Sequence, residues 1–247
     1  MQPAGEDQRR RHPVSNIRSA CALVFSCVGR TIFISGGTGY VGASLIPRLL
    51  ERGHSVRSLC RRGSEPKLAP GAEPVHGNAL DPTSFSPSGC DTFVHLVGTP
   101  HPAPWKGAQF RAVDLVSFKA SIAAVKLAQV SHFVYVSVAH PAPIMRSYID
   151  VRTECERLIT RTKVRASVLR PWYVLGPGHK WPLALAPVYW LCERLPGVAE
   201  GARRLGLVTL EQMVETLAWS IENPPEKSRV LSVEQIRDCQ SRCRTLV

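Results

Sequence analysis

The sequence predicts an α/β fold, a doubly wound parallel sheet with a small C-terminal cap. Three observations carry that expectation. Short runs rich in β-branched and aromatic residues alternate with stretches of helical period, the rhythm of strand, helix and parallel strand. The stretch Thr31 to Leu45 joins a buried strand, a glycine turn and the start of a helix. The length, 247 residues, suits one α/β domain with a modest elaboration and leaves no room for a second full domain.

Strand one is Ile32, Phe33 and Ile34, closed by Ser35, and the apolar spacing Val41, Leu45, Leu49 then marks a helix from Tyr40 to Arg52. Gly53 ends that helix, and Pro47 should kink or loosen its second half. Strand two is Ser55 to Cys60. Pro66 to Ala72 reads as a loop, Glu73 to Gly77 as strand three, and Asp91 to Val97 as strand four. The loop Gly98 to Gly107 carries several turn formers. Phe110 to Gln129 is expected to be one helix with apolar residues at 113, 115, 118, 122, 125 and 127, and His132 to Val138 is strand five. In the helix Tyr148 to Thr162, Glu154, Glu156 and Arg157 are placed on the wet side, with Cys155, Leu158 and Ile159 inward. Arg165 to Leu169 is strand six. Residues 179–247 read as the cap: an apolar helix to about Leu195, a helix Leu210 to Asn223 and a last strand near Arg229 to Val233.

Within this frame the turn Gly36-Gly37-Thr38-Gly39-Tyr40-Val41-Gly42 is the candidate cofactor site, and residues 30–178 form a Rossmann-type dinucleotide-binding core. In such a site the first spaced glycine permits the tight turn, the second lets the backbone approach a pyrophosphate, and the third lets helix and strand pack closely. The helix N-terminus then receives the phosphates. An acid at the end of strand two would accept from a ribose 2′-hydroxyl, whereas a guanidinium pairs with a 2′-phosphate. No Asp or Glu lies between Arg52 and Ser64, while Arg57, Arg61 and Arg62 do. NADP(H) is therefore the preferred cofactor, with NAD(H) as the alternative.

Lysine plus arginine minus aspartate plus glutamate is 31 − 19 = +12. The basic residues are scattered, with no aromatic-interleaved basic strand, so no nucleic-acid partner is expected. The eight cysteines show no Cys-x-x-Cys pair and no zinc spacing; they read as reduced thiols in a cytoplasmic protein without a metal. Cys239 and Cys243, one helical turn apart, read as part of a solvated tail. Residues 1–29 break from the rest. They read as a disordered extension, with an Arg-rich organelle-targeting peptide as the alternative. No apolar run reaches the roughly 20 residues that span a bilayer.

The spacing Gly-x-x-Gly-x-x-Gly after Ser35 resembles the extended and atypical branches of the short-chain dehydrogenase/reductase superfamily. Together with Phe133-Val-Tyr-Val-Ser137, Tyr148 to Glu156 and Leu169-Arg-Pro-Trp-Tyr-Val-Leu-Gly-Pro-Gly178, it resembles the atypical NmrA-like group. That group includes bacterial NAD(P)H-binding proteins and the dinucleotide-carrying accessory subunit of respiratory complex I. The resemblance implies Asn78, Val97, Gly98 and Pro171 as further cofactor contacts. It also implies a catalytic Ser, Tyr and Lys, the last two four residues apart. Here the pattern is Tyr148-Ile-Asp-Val-Arg152, with Arg152 replacing lysine at the ribose and Ser137 as third member. A cation one turn away would favour the phenolate, but a guanidinium is not equivalent to an ammonium.

Two functions follow from this. One is an oxidoreductase, or an epimerase- or dehydratase-like enzyme, acting on a small apolar carbonyl or quinone-like substrate, with Trp105, Trp172, Tyr173, Trp181 and Tyr189 lining the cleft. The other is a cofactor-binding redox sensor or accessory subunit, with peripheral contact to a membrane or a complex. His101, His140 and His179 would rim the nicotinamide end. Substrate and oligomeric state stay open.

Overall fold

The computed structural model describes residues 29–177 and 205–244, with side chains through Cys239. The extension 1–28, the apolar helix to Leu195, Trp181, Tyr189, His179 and the side chains of Cys21, Cys27, Cys192 and Cys243 lie outside the described residues.

Seven strands form one sheet: β1 (Thr31–Ser35), β2 (Ser55–Cys60), β3 (Glu73–His76), β4 (Thr92–His95), β5 (His132–Val136), β6 (Ala166–Leu169) and, from the C-terminal part, Ser228–Leu231. Every pairing is parallel, and the spatial order is β3-β2-β1-β4-β5-β6 followed by Ser228–Leu231. Strand order reverses between β1 and β4, so a crevice opens there at the carboxyl ends, where ligands of such sheets bind.

Parallel register explains the core. Phe33 lies beside Phe93, and Phe93 beside Phe133, so three phenyl rings stack at 5.2 and 5.7 Å across adjacent strands. They anchor one apolar layer, covered by α2 (Val116–Leu127) and α3 (Arg146–Thr162). Ile32, Ile34 and Val56 face the opposite layer, covered by α1 (Tyr40–Glu51) and α4 (Leu210–Glu222).

Pro47 does not break α1, which runs unbroken to Glu51; Pro47 is exposed, so the carbonyl it leaves unbonded can face water. The helix expected from Phe110 begins as a π-helical segment, Phe110–Leu115. Its wide turn carries Phe110, Asp114 and Leu115 inward together. Leu127, expected inward, is 86% exposed in the last turn of α2.

Of the region expected as a cap, residues 205–244 are described. A short parallel pair, β7 (Tyr173–Leu175) with β8 (Leu207–Thr209), leads into α4, which opens with a reciprocal capping box between Thr209 and Gln212. The following strand, β9 (Ser228–Leu231), is the seventh strand of the main sheet, and α5 (Val233–Arg244) packs against α4. Cys239 is buried in α5, not on a solvated tail. Residues 205–244 are therefore a layer of the main body. Arg48 and Arg52 of α1 bind this layer through Glu215, and Arg52 reaches Glu222 at 2.9 Å.

Candidate functional site

The glycine turn links β1 to α1 at the point where strand order reverses. Gly36 has φ of +87°, and a Cβ there would sit 2.8 Å from the Leu96 carbonyl carbon. At Gly42 a Cβ would lie 2.5 Å from the Gly36 oxygen, and at Gly37 it would overlap Ser58 Oγ. These three glycines are required by the chain's own packing. Gly39 is different. Its φ is −82°, and a Cβ there would meet only the Gly36 oxygen, at 3.2 Å. The open space in front of it suits the close approach of a pyrophosphate.

Gly39 is also the N-cap of α1, with no capping side chain and no acid in the first turn. The first N–H groups of a helix have no partner within it, and their positive end is a ready anion site. The residues thus fit a dinucleotide. Tyr40 turns its hydroxyl against Gly176, whose Cβ would lie 2.2 Å away, and burial pushes its phenol up.

Around this turn the other expected cofactor residues are distributed unevenly. Arg61 and Arg62 are exposed at the end of β2. Arg57 is used elsewhere, paired with Glu73 at 3.4 Å and donating to the Ser88 carbonyl at 3.0 Å. Asn78 spends its side-chain oxygen on a local turn, accepting from Leu80 N–H at 3.0 Å. Val97 is half-buried, and Gly98 passes against Arg152, whose Nη2 would lie 2.8 Å from an added Cβ. Pro171 is buried, its carbonyl accepting from Ala139 N–H at 2.9 Å.

The expected catalytic trio is rearranged. Arg152, 6% exposed, donates to Asp114 at 2.7 Å, to the Val136 carbonyl at 2.9 Å and to the Tyr135 hydroxyl at 3.2 Å. Asp114 also accepts from Thr99, from N–H at 3.0 Å and from the hydroxyl at 2.6 Å. The guanidinium is thus tied into the protein instead of reaching freely for a ribose; its buried Nε has no partner. It lies 4.9 Å from the Tyr148 ring centre. Burial nevertheless pushes the Tyr148 phenol up, and the Arg152 charge does not reverse this. The Arg152 charge does favour the phenolate, as expected, but burial outweighs it and the Asp114 carboxylate adds to the upward push.

Ser137 is likewise turned away. Its hydroxyl donates to Glu156 at 2.5 Å, and the same carboxylate pairs with Arg170 and lies 3.7 Å from His140 Nε2. Glu156, expected on the wet side of α3, is a half-buried hub because α3 sits over the ends of β5 and β6. Trp105 is 83% exposed and does not line a cleft, whereas Trp172 packs against the α1-side layer. A groove of about 810 Å³ flanks α1, lined in part by Ser44, Pro47, Leu210 and Val214; none of the candidate site residues borders it.

Sequence reasoning missed Asp114 and Glu156. Asp114 had a signal: an acid four residues from both Phe110 and Phe118 sits on an apolar face, and a buried acid demands a partner.

A family described as NAD(P)H-binding matches residues 36–179, more than half of the chain. The chain belongs to that family. Its fold is shared with solved short-chain dehydrogenase/reductase and sugar-nucleotide epimerase structures. Among curated relatives, a 4-hydroxy-2-methyl-3-oxo-4-farnesyl-3,4-dihydroquinoline-1-oxide ketoreductase of Stigmatella aurantiaca is 26% identical over 168 aligned residues, covering 58% of this chain and 50% of that protein. A 3-beta-hydroxysteroid dehydrogenase of Mycolicibacterium neoaurum is 38% identical over 66 residues, 26% of this chain and 18% of that one. The chain thus spans half the length of its curated relatives or less.

Of the solved structures, a UDP-glucose 4-epimerase superposes with a TM-score of 0.63 at 16% identity, covering 84% of this chain and 80% of its own. A short-chain dehydrogenase/reductase from Agrobacterium tumefaciens with bound NAD superposes with a TM-score of 0.60 at 18% identity, covering 81% and 76%. These likenesses describe the fold. No helix among the described residues is long and apolar enough to cross a membrane.

Proposed function

We propose that this protein is an NADPH-dependent reductase of a small, apolar carbonyl or quinone-like compound. The observation that carries the proposal is the glycine turn, where Gly39 leaves open space at an uncapped helix N-terminus that the protein's own packing does not require. The bound cofactor would supply a hydride.

The chain's residues would do the rest. The first turn of α1 would hold the pyrophosphate, and Arg61 and Arg62 the 2′-phosphate, which favours NADPH over NADH. Tyr148 keeps its proton, because burial disfavours the phenolate. It would therefore act as a proton donor to the substrate oxygen as hydride arrives at the carbonyl carbon, which suits reduction better than alcohol oxidation. Arg152, fixed by Asp114, would position the Tyr148 ring from beneath and offer its unpartnered Nε–H. The ketoreductase and steroid dehydrogenase among the relatives support a ketone-bearing, apolar substrate.

One observation favours a second reading, a cofactor-binding protein without turnover. Ser137, which should assist the proton donor, gives its hydroxyl to Glu156 instead. A panel of aldehydes, ketones and quinones with NADPH separates the two. Oxidation of NADPH by at least one compound, lost about 100-fold or more in Tyr148→Phe, is the expected result. Tight NADPH binding with no oxidation across the panel would leave the non-catalytic reading standing.

A further inference from the structure

We propose that Cys60, Glu65 and His76 form a binding site for a divalent transition-metal ion of the zinc class. The sequence suggested no metal site, because the three residues are not spaced as a motif. The fold brings them together. Cys60 and His76 are the last residues of β2 and β3 and are direct partners in the parallel register. A turn with Gly63 at φ +79° reverses the chain after β2 and returns Glu65, the first residue of a short 3₁₀ segment, to the same spot.

The donor atoms of the three residues all lie within 4.8 Å of one another. His76 Nδ1 is 3.9 Å from Cys60 Sγ and 3.3 Å from a Glu65 carboxylate oxygen. For a tetrahedral ion with zinc's usual bond lengths, sulfur and nitrogen are about 3.5 Å apart and nitrogen and oxygen about 3.3 Å apart. The nitrogen–oxygen pair already stands at that separation, the sulfur–nitrogen pair needs to close by only about 0.4 Å, and the sulfur and carboxylate oxygen lie within 4.8 Å of each other. One sulfur, one imidazole nitrogen and one carboxylate oxygen make a borderline-soft set, which suits zinc or cobalt and not magnesium or calcium, whose ligands are oxygens. Cys60 is buried at the inner end, Glu65 is half-buried and His76 is exposed, so a fourth position opens to water. The ordinary alternative is a surface ion pair between His76 and Glu65, which does not involve the thiol. No ligand in the site is a proposed cofactor contact, although Cys60 directly precedes Arg61 and Arg62, so the titrations are made without dinucleotide.

The test uses the full chain, stripped with a chelator and kept reduced. It is titrated with Zn²⁺ by calorimetry and with Co²⁺ by absorption. The expected result is one ion per chain, with the intense visible bands of four-coordinate cobalt and a near-ultraviolet thiolate-to-cobalt band. Cys60→Ser should remove the thiolate band, and Cys60→Ser and His76→Gln should each weaken affinity at least about tenfold with the circular dichroism unchanged. Cobalt spectra showing only six-coordinate oxygen ligation would overturn the proposal. So would metal uptake that is the same in the Cys60→Ser/His76→Gln double variant as in the parent, because the chain holds other cysteines and histidines.

Discussion

Arg152 shows how the shape of a cationic head group decides what it binds. A flexible ammonium at this position could extend toward a ribose, but a planar fork needs several acceptors, and Asp114, Tyr135 and Val136 provide them. Removing one partner of a buried pair leaves the other charge uncompensated, so Asp114→Ala should lower stability by about 3–5 kcal/mol. Urea unfolding would measure it; a midpoint unchanged from the parent would mean that the pair is not a structural element. Buried histidines give the protein an acid limit. His95 is held down to about 3, first by burial and then by Arg152, and His132 to about 3 by burial and nearby arginines. In the His95 imidazolium both ring nitrogens carry an N–H, and Nε2 has no partner to accept it. A folded pKa below the unfolded value near 6.5 means that the unfolded chain binds more protons, so the stability from neutral histidine is complete above pH 6.5 and is lost as pH falls toward 3. By pH 5 each should cost about 2 kcal/mol. His95→Gln should flatten the pH dependence of the urea midpoint between pH 7 and 5 by roughly half; an unchanged slope would contradict the assignment.

The strand-turn-helix at the head of the chain was the most legible element, because its glycines, β-branched residues and helical spacing act locally. Strands β1 and β2 and helix α1 match their expected bounds almost to the residue. The later elements were legible as elements but not as partners. The strand near Arg229 was visible, yet nothing local in Ser228–Leu231 says that it pairs with β6 and not with a cap; that choice is made by long-range packing of α4 and α5. Glu156 was missed for the same reason, since a helical acid looks solvated until the strand ends beneath it are placed, whereas Asp114 carried a local signal in its apolar helix face. Within the glycine turn, the structure separates two roles that spacing alone merged. Gly42→Val should disrupt folding, because its Cβ would lie inside the Gly36 and Gly37 backbone. Gly39→Ala should leave the circular dichroism and thermal midpoint near the parent's while cutting dinucleotide affinity at least about tenfold. A destabilised Gly39→Ala, or one that binds like the parent, would count against that division of labour.

For the whole molecule, strand order reverses between β1 and β4, so the glycine turn lies where a crevice opens at the carboxyl ends, within the residues that the NAD(P)H-binding family matches. The basic surplus of the chain, +12, is compatible with an anionic ligand but does not choose between cofactors. The choice rests on Arg61 and Arg62, which are exposed and whose guanidinium groups make no ion pair with the described residues. Each charge-assisted contact to a 2′-phosphate is worth about 1.5–3 kcal/mol, or roughly ten- to a hundredfold in affinity. The most direct measurement is calorimetric titration of the parent and the Arg61→Ala/Arg62→Ala variant with NADPH and with NADH. The account predicts that the parent binds NADPH at least about tenfold more tightly than NADH, and that the variant loses this preference while keeping its NADH affinity. Equal affinities in the parent would contradict the arginine assignment, and failure to bind either cofactor would contradict the glycine turn as a dinucleotide site.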